Sequence, residues 1–346
     1  MTATVTRDYS LVGAEREPAI ARGLHDADWY RCPVDRATMR QLVQRNDRTA
    51  AVHTVVWLGL LVGFGVLGHL TWGSWWAIPV FFVYGTLYGS LSDARWHECG
   101  HGTAFRTGWM NTVVYYLASF MDLREAVSWK WSHTRHHSDT IVVGLDPEIA
   151  YPRPTAGWKI ALEAFALLSG TRELRKIALN VVGRFTAEEL EYLPEGERRK
   201  ALWCSRVYAL LIVGTVAAVV WTGSIEPAMY VVLPTFYGRW LLVLYGTTQH
   251  AGLAEDVLDH RLNTRTVYMN RINRFCYLNM NYHVEHHMFP NVPYHALPAL
   301  HEAVKADMPP PYRSIAEAYR EIIPALRRQR QDPSYFVTRP LPTGRP

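Results

Sequence analysis

Eight histidines in three tight groups carry the chemistry of this chain. His97 and His101 lie in the stretch DARWHECGHG, four residues apart. On a helix that spacing stacks the two rings on one face, a turn apart. His133, His136 and His137 lie in WKWSHTRHHSDT, and His283, His286 and His287 in NMNYHVEHHMFP. Both sets repeat a three-and-four spacing that converges on one helical face. Imidazole in this number suits two or more metal ions better than one. Imidazole binds iron, zinc, copper and nickel alike, so spacing does not name the metal. Asp93, Glu98, Asp146 and Glu285 are the candidates to accept imidazole N–H bonds and so orient the rings. Cys99, two residues from each flanking histidine, points to another helical face and is not favoured as a ligand. The scattered His25, His53, His260 and His301 read as ordinary surface or core residues.

A narrower local reading competes. His97-Glu98-Cys99-Gly100-His101 matches H-E-x-x-H, in which the glutamate is the general base of a zinc protease. That site needs one further ligand and leaves HTRHH and HVEHH unexplained. A membrane metal carrier or sensor is the non-enzymatic alternative.

The elements that position these groups follow from hydropathy. Of 346 residues, 49% are hydrophobic and thirteen are tryptophan, and the apolar residues gather in four runs. Residues 51–71, 75–92, 202–222 and 227–248 each approach the length of a spanning helix. Short links make two hairpins of them, with Trp72, Trp75 and Trp76 as interfacial anchors at the first turn. Residues 1–50 carry 8 Lys and Arg, residues 93–201 carry 14 and residues 249–346 carry 12, while the two hairpin turns carry none. The positive-inside rule then puts both termini and every histidine group on the cytoplasmic side. The expected architecture is all-α and integral to the membrane: four transmembrane helices in two hairpins under a cytoplasmic helical cap that carries the histidines.

The remaining segments divide simply. Residues 1–50 form a cytoplasmic N-terminal segment, read as a membrane-surface collar, with no signal peptide expected. Residues 51–330 form the membrane domain. Within it, 109–121 is too short to span and is read as re-entrant or interfacial, and 157–183 as an amphipathic surface helix. Trp129 and Trp131 flank the second group and are candidates to wall a pocket. Residues 331–346, rich in proline, form an expected disordered tail. Four cysteines without a CxxC pair fit reduced thiols, and a net charge of +5 with no base-reading motif gives no reason to expect a nucleic-acid partner.

The three groups together resemble the HxxxH, HxxHH and HxxHH boxes of the integral-membrane fatty-acid desaturase and hydroxylase superfamily, over about residues 50–305. HVEHHMFPNVPYHALPALH is similar to front-end and sphingolipid desaturases and to bacterial carotenoid ketolases. DWYRCPVDRATM and HHSDTIVVGLDPE resemble a bacterial branch that includes rhizopine-demethylating oxygenases. Gln249-His250 resembles the Gln-His that precedes the third box in many members, which implies His250 as a ninth ligand. In acyl-CoA desaturases an asparagine lies four residues before that histidine. Here the position is Gly246, so a water-bridging asparagine is not implied.

The resemblance implies two non-haem iron ions, O2 as co-substrate and hydrogen abstraction from an unactivated C–H bond. A fatty-acyl or lipid desaturase of the cell membrane is the first expectation. A hydroxylase, ketolase or oxidative N- or O-demethylase of a smaller molecule uses the same ligand set. The GxGxxG match at Gly63-Phe64-Gly65-Val66-Leu67-Gly68 lies inside the first apolar run, not between a strand and a helix, and no cytochrome b5-type HPGG motif occurs, so electrons are expected from a separate ferredoxin, flavodoxin or reductase.

Overall fold

A computed structural model describes residues 7–342. The described chain is all-α, its only extended pairings being the isolated bridges Thr266–Tyr282 and Val267–Tyr312. Among the described residues, two helices are long and apolar enough to cross a membrane: one ending at Thr71, and Glu195–Thr222. The first runs unbroken over Asp47–Thr71, about 38 Å at the α-helical rise. Asn46 caps it by accepting from the N–H groups of Arg48 and Thr49, with Asp47 in the first turn. Val55, Val62, Val66 and Leu70 on this helix, and Leu210, Val213, Val216 and Val220 on the other, are exposed. Exposed valine and leucine along two such helices is what contact with lipid requires, and the protein is membrane-associated.

The other two expected spans are not single helices. After the turn at Trp72–Trp76 the chain forms Ala77–Gly89, passes Ser90, and continues as Leu91–Gly100. The first histidine box is thus a direct extension of this limb. Residues 227–248 are in three pieces, Glu226–Val231, Leu233–Tyr237 and Trp240–His250. Pro234 causes the first break, since it has no N–H to give to the carbonyl of Tyr230. That carbonyl instead receives the hydroxyl of Tyr84 at 2.8 Å. Tyr88 likewise donates to Val231 O at 2.5 Å, Tyr237 to Met229 O at 2.8 Å, and Ser90 to Gly238 O at 2.5 Å. Broken backbone in apolar surroundings is tolerated only when its polar groups find such partners.

The crossing of these two limbs is set by glycine. A Cβ on Gly238 would sit 1.8 Å from the carbonyl oxygen of Gly85, and one on Gly89 would sit 2.5 Å from Pro234 O. The small-xxx-small pair Gly85 and Gly89 therefore lets two backbones touch, as small residues do between membrane helices.

The remaining elements carry and surround the other two boxes. The second box lies on Ala126–Ser138, whose N-terminus Glu125 caps through the N–H groups of Val127 and Ser128. The third lies on the short helix His283–Met288. The expected single helix over 157–183 is two, Gly157–Glu163 and Ser169–Val181, parted where Ala166 takes φ +49°. Residues 109–121 form the helix Gly108–Met121. The N-terminal segment clamps onto the cap: Arg7 pairs with Glu255 at 3.1 Å and Asp256 at 2.6 Å, and Asp256 also accepts from Val143 N at 2.9 Å.

The tail expected to be disordered is packed as far as it is described. Val337 N donates to Gly252 O at 2.9 Å, and the buried Arg339 donates to Thr264 O and Pro310 O. One arginine satisfying two loop carbonyls outweighs the polar, proline-rich composition from which disorder was expected. Residues 343–346 lie outside the described residues.

Candidate metal centre

The box helices bring all nine implicated histidines to one buried place in two groups. His97, His101, His133, His137 and His286 form the first, their ring nitrogens within 4.8 Å of one another. His136, His250 and His287 form the core of the second by the same measure. His283 joins that second group, its Nε2 lying 3.2 Å from His250 Nε2 and 3.1 Å from His287 Nε2. The boxes interleave. His136 and His137 are neighbours in sequence yet serve different groups, and so do His286 and His287.

The outward nitrogens settle what the inward ones offer. His133 Nδ1 faces Glu148 Oε2 at 3.1 Å and His136 Nδ1 faces Asp146 Oδ2 at 2.8 Å. His250 Nδ1 faces the carbonyl of Asn263 at 2.8 Å, an oxygen that can only accept. Thr140 donates its hydroxyl to His136 O, which leaves its oxygen to accept from His287 Nδ1 at 3.2 Å. In all four rings the proton is held on Nδ1, and the Nε2 lone pair points inward.

Inside, those lone pairs meet at close range. Nε2 atoms stand 3.1 Å apart for His101 and His133, 3.2 Å for His133 and His137, and 3.2 Å for His137 and His286. Nitrogens about 2.1 Å from one ion, at roughly 90–110° to each other, stand about 3.0–3.4 Å apart. Both ring nitrogens of the buried His97 and Nδ1 of His137 and His286 have no hydrogen-bond partner. Lone pairs converging at this distance repel unless a cation sits between them, so the donor set fits metal.

Electrostatics agree. Burial, with the neighbouring rings adding to it, pushes His97, His101, His137, His283, His286 and His287 well below the usual histidine range, so they are neutral donors. Burial works against ionisation of Glu148, but His133, His136 and Arg124 outweigh it and hold its carboxyl down at about 2.

Of the four acids expected to orient the rings, Asp146 does so. Asp93 pairs with Arg124 at 2.5 Å, a guanidinium held over the rings of both Trp96 and Trp129, and makes no hydrogen bond to a box histidine. Glu98 accepts from Thr103 Oγ1 at 2.6 Å and Tyr294 N at 3.0 Å and makes no hydrogen bond to a box histidine. Glu285 bonds the imidazole of His301 and the hydroxyl of Thr266, not a box histidine. Glu148, Thr140 and the Asn263 carbonyl take the roles that sequence reasoning missed. Glu148 sits fifteen residues after His133 with no spacing signal, and the other two act through a hydroxyl and the backbone. Cys99 is buried and is in neither group.

A cavity of about 180 Å³ opens on the five-histidine group, lined by Trp96, Tyr115, Lys130 and Pro290 along with four of the rings. Trp129 and Trp131 do not line it.

Against known proteins, the fatty acid desaturase family model matches residues 73–319, most of the chain and all three boxes. The chain belongs to the fatty acid desaturase family. It is an oxidoreductase of lipid metabolism. It is 26% identical over 283 residues to an endoplasmic-reticulum omega-6 fatty acid desaturase of Glycine max, covering 70% of this chain and 71% of the relative. It is 25% identical over 298 residues to a Delta(12)-acyl-lipid desaturase of Punica granatum, covering 74% of each. A shorter match, 33% over 96 residues, joins it to an sn-1 acyl-lipid omega-3 desaturase (ferredoxin) of Synechocystis sp., covering 28% of this chain and 26% of that one.

Proposed function

We propose that this desaturase-family enzyme is an O2-dependent, di-iron acyl-lipid desaturase fed by a separate ferredoxin. The observation that carries the reading is the division of nine histidines into groups of five and four, with inward lone pairs set by outward hydrogen bonds. His97, His101, His133, His137 and His286 would hold one iron, and His136, His250, His283 and His287 the other. Iron in both groups would supply reductive activation of O2 and removal of hydrogen from an unactivated C–H bond.

The chain's own part is positional. Glu148, Asp146, Asn263 and Thr140 keep the rings in one tautomer and one orientation. Burial keeps water from the oxidant. The cavity beside Trp96 and Tyr115 would admit two adjacent methylene carbons to the five-histidine group and fix which ones they are. The acyl-lipid substrate is supported by the names of the relatives, and ferredoxin by that of the cyanobacterial one.

The reading includes a topology. Residues 51–330 form the membrane domain, with four spans in two hairpins, two of them interrupted. Both termini and the histidine centre face the cytoplasm of the cell membrane. The arginine and lysine distribution supports that orientation.

The test is direct. The protein and its His136→Ala variant are produced in a bacterial host, bound iron and zinc are quantified, and host lipids are profiled by mass spectrometry. The reading expects about two irons per chain and acyl chains lighter by one hydrogen molecule in the wild type alone. Iron with unchanged lipids moves the assignment to hydroxylation or demethylation of a smaller molecule. Zinc without iron sinks it.

A further inference from the structure

Electrons must cross from the protein surface to a centre whose histidines are buried or half-buried. Aromatic contacts mark one continuous way in. Trp29 stacks on His260 with ring centroids 4.2 Å apart and planes 7° from parallel. His260 lies 5.1 Å, centroid to centroid, from His287 of the four-histidine group. The indole is fixed by its N–H, which donates to Ser138 O at the end of the second-box helix, at 2.8 Å. His260 is fixed too, since it opens the short helix His260–Asn263 whose last carbonyl holds His250. Trp29 is partly exposed and His260 is buried, so two rings span the distance from solvent to the centre.

We propose that Trp29 and His260 are the electron entry to the four-histidine group, and that the surface carrying Trp29 docks a small acidic iron–sulfur protein. The inference rests on the di-iron reading above. In each encounter the carrier's cluster would lose one electron to the iron that His287 would help to hold. Trp29 and His260 bridge the gap without themselves being oxidised or reduced, and no bond forms or breaks. Two encounters supply two electrons, which with two protons from solvent and the two hydrogens taken from substrate balance the reduction of one O2 to two waters.

Other routes are poorer. Trp129, Trp96 and His133 meet edge-on at 5.7 and 5.1 Å, against the near-parallel stack of Trp29 on His260, and the Trp129 N–H is taken by Glu173. The chain from Tyr268 through His301 ends on Glu285, a carboxylate that touches neither group.

The charge of the surface selects the partner. Arg31, Arg36, Arg40, Arg45 and Arg48 follow Trp29 in sequence, are exposed, and have no ion-pair partner among the described residues. Against them stand Asp26, Asp28, Asp35 and Asp47; Asp35 is engaged in capping Arg36–Leu42 and Asp47 accepts from Thr107 N and Oγ1. Such a basic face steers an acidic carrier into contact and makes association salt-dependent.

The experiment uses iron-loaded protein in detergent, without oxygen, and a reduced plant-type ferredoxin as probe. Iron per chain, ferredoxin binding and the rate of reduction of the centre are measured, with dithionite as a small reductant for comparison and rates expressed per bound iron. Trp29→Leu should slow reduction by ferredoxin by an order of magnitude or more and leave reduction by dithionite unchanged. Trp29→Phe, which keeps the stack and loses the hydrogen bond, should restore most of the rate. Arg31→Glu with Arg36→Glu should weaken ferredoxin binding about tenfold at low salt and little at high salt. Equal slowing of both reductants in Trp29→Leu would show a merely structural role and overturn the route, as would no slowing at all. Unaltered binding in the arginine variants would overturn the docking surface. A wild type without iron would instead overturn the di-iron reading itself.

Discussion

His136 donates its Nδ1 proton to Asp146 at 2.8 Å, and the same carboxylate oxygen accepts from Ile141 N at 2.7 Å. One acid thus closes the turn after the second-box helix and sets the ring that helix presents. Asp146→Ala should weaken metal retention by roughly 10–100-fold, the usual cost of removing such an outer partner. Competition with a chelator followed by metal analysis reads this. Full retention would mean that the turn holds His136 without the acid.

Glu98 separates this site from the zinc-protease pattern it matches. A protease needs Glu98 as its base, but here it accepts from Thr103 and Tyr294 N, and burial raises its carboxyl to about 7. Glu98→Gln should keep bound metal and turnover and cost about 1–3 kcal/mol of stability through an imperfectly paired buried amide. Abolished turnover with metal retained would return the glutamate to the chemistry.

The glycine crossing predicts a contrast. Gly238→Ala drives a methyl into the carbonyl of Gly85 and should cost at least about 1–3 kcal/mol, read as a lowered melting midpoint in detergent. Gly246→Ala, on the same limb with open space around it, should be neutral or stabilise by about 0.5–1 kcal/mol. Equal effects would mean that the limbs do not touch there.

Acid should unfold the metal-free protein first. His97, His101, His137, His250, His283, His286 and His287 are held neutral by burial, while the unfolded chain takes up protons near the ordinary value of about 6.5. Below that pH the unfolded state binds more protons, so stability falls with falling pH, by at most about 1.4 kcal/mol per ring and pH unit. Chelator-treated protein should melt lower at pH 5.5 than at pH 7.5. An unchanged midpoint would contradict neutral buried rings.

Local spacing made much of this legible. Each box has histidines three or four residues apart, so a helix through it turns those rings to one side. His250 was reached only through the adjoining Gln249. What spacing could not carry was long-range pairing. Asp93 sits at helical spacing from His97 but faces Arg124, because Trp96 and Trp129 hold that guanidinium beside it. The apolar run 227–248 reads as one span by hydropathy, which is blind to the missing N–H of Pro234. The Tyr84 hydroxyl that makes the break tolerable comes from 146 residues away. The tail was misread for a similar reason, since Arg339 finds its carbonyls on loops distant in sequence.

The interleaving of the boxes has a mechanical consequence. The second-box helix gives His133 and His137 to one group and His136 to the other, and the third gives His286 to the first and His283 and His287 to the second. Turning either helix about its axis displaces rings of both groups at once. The two nests hang from shared beams, so a disturbance aimed at one is felt at both.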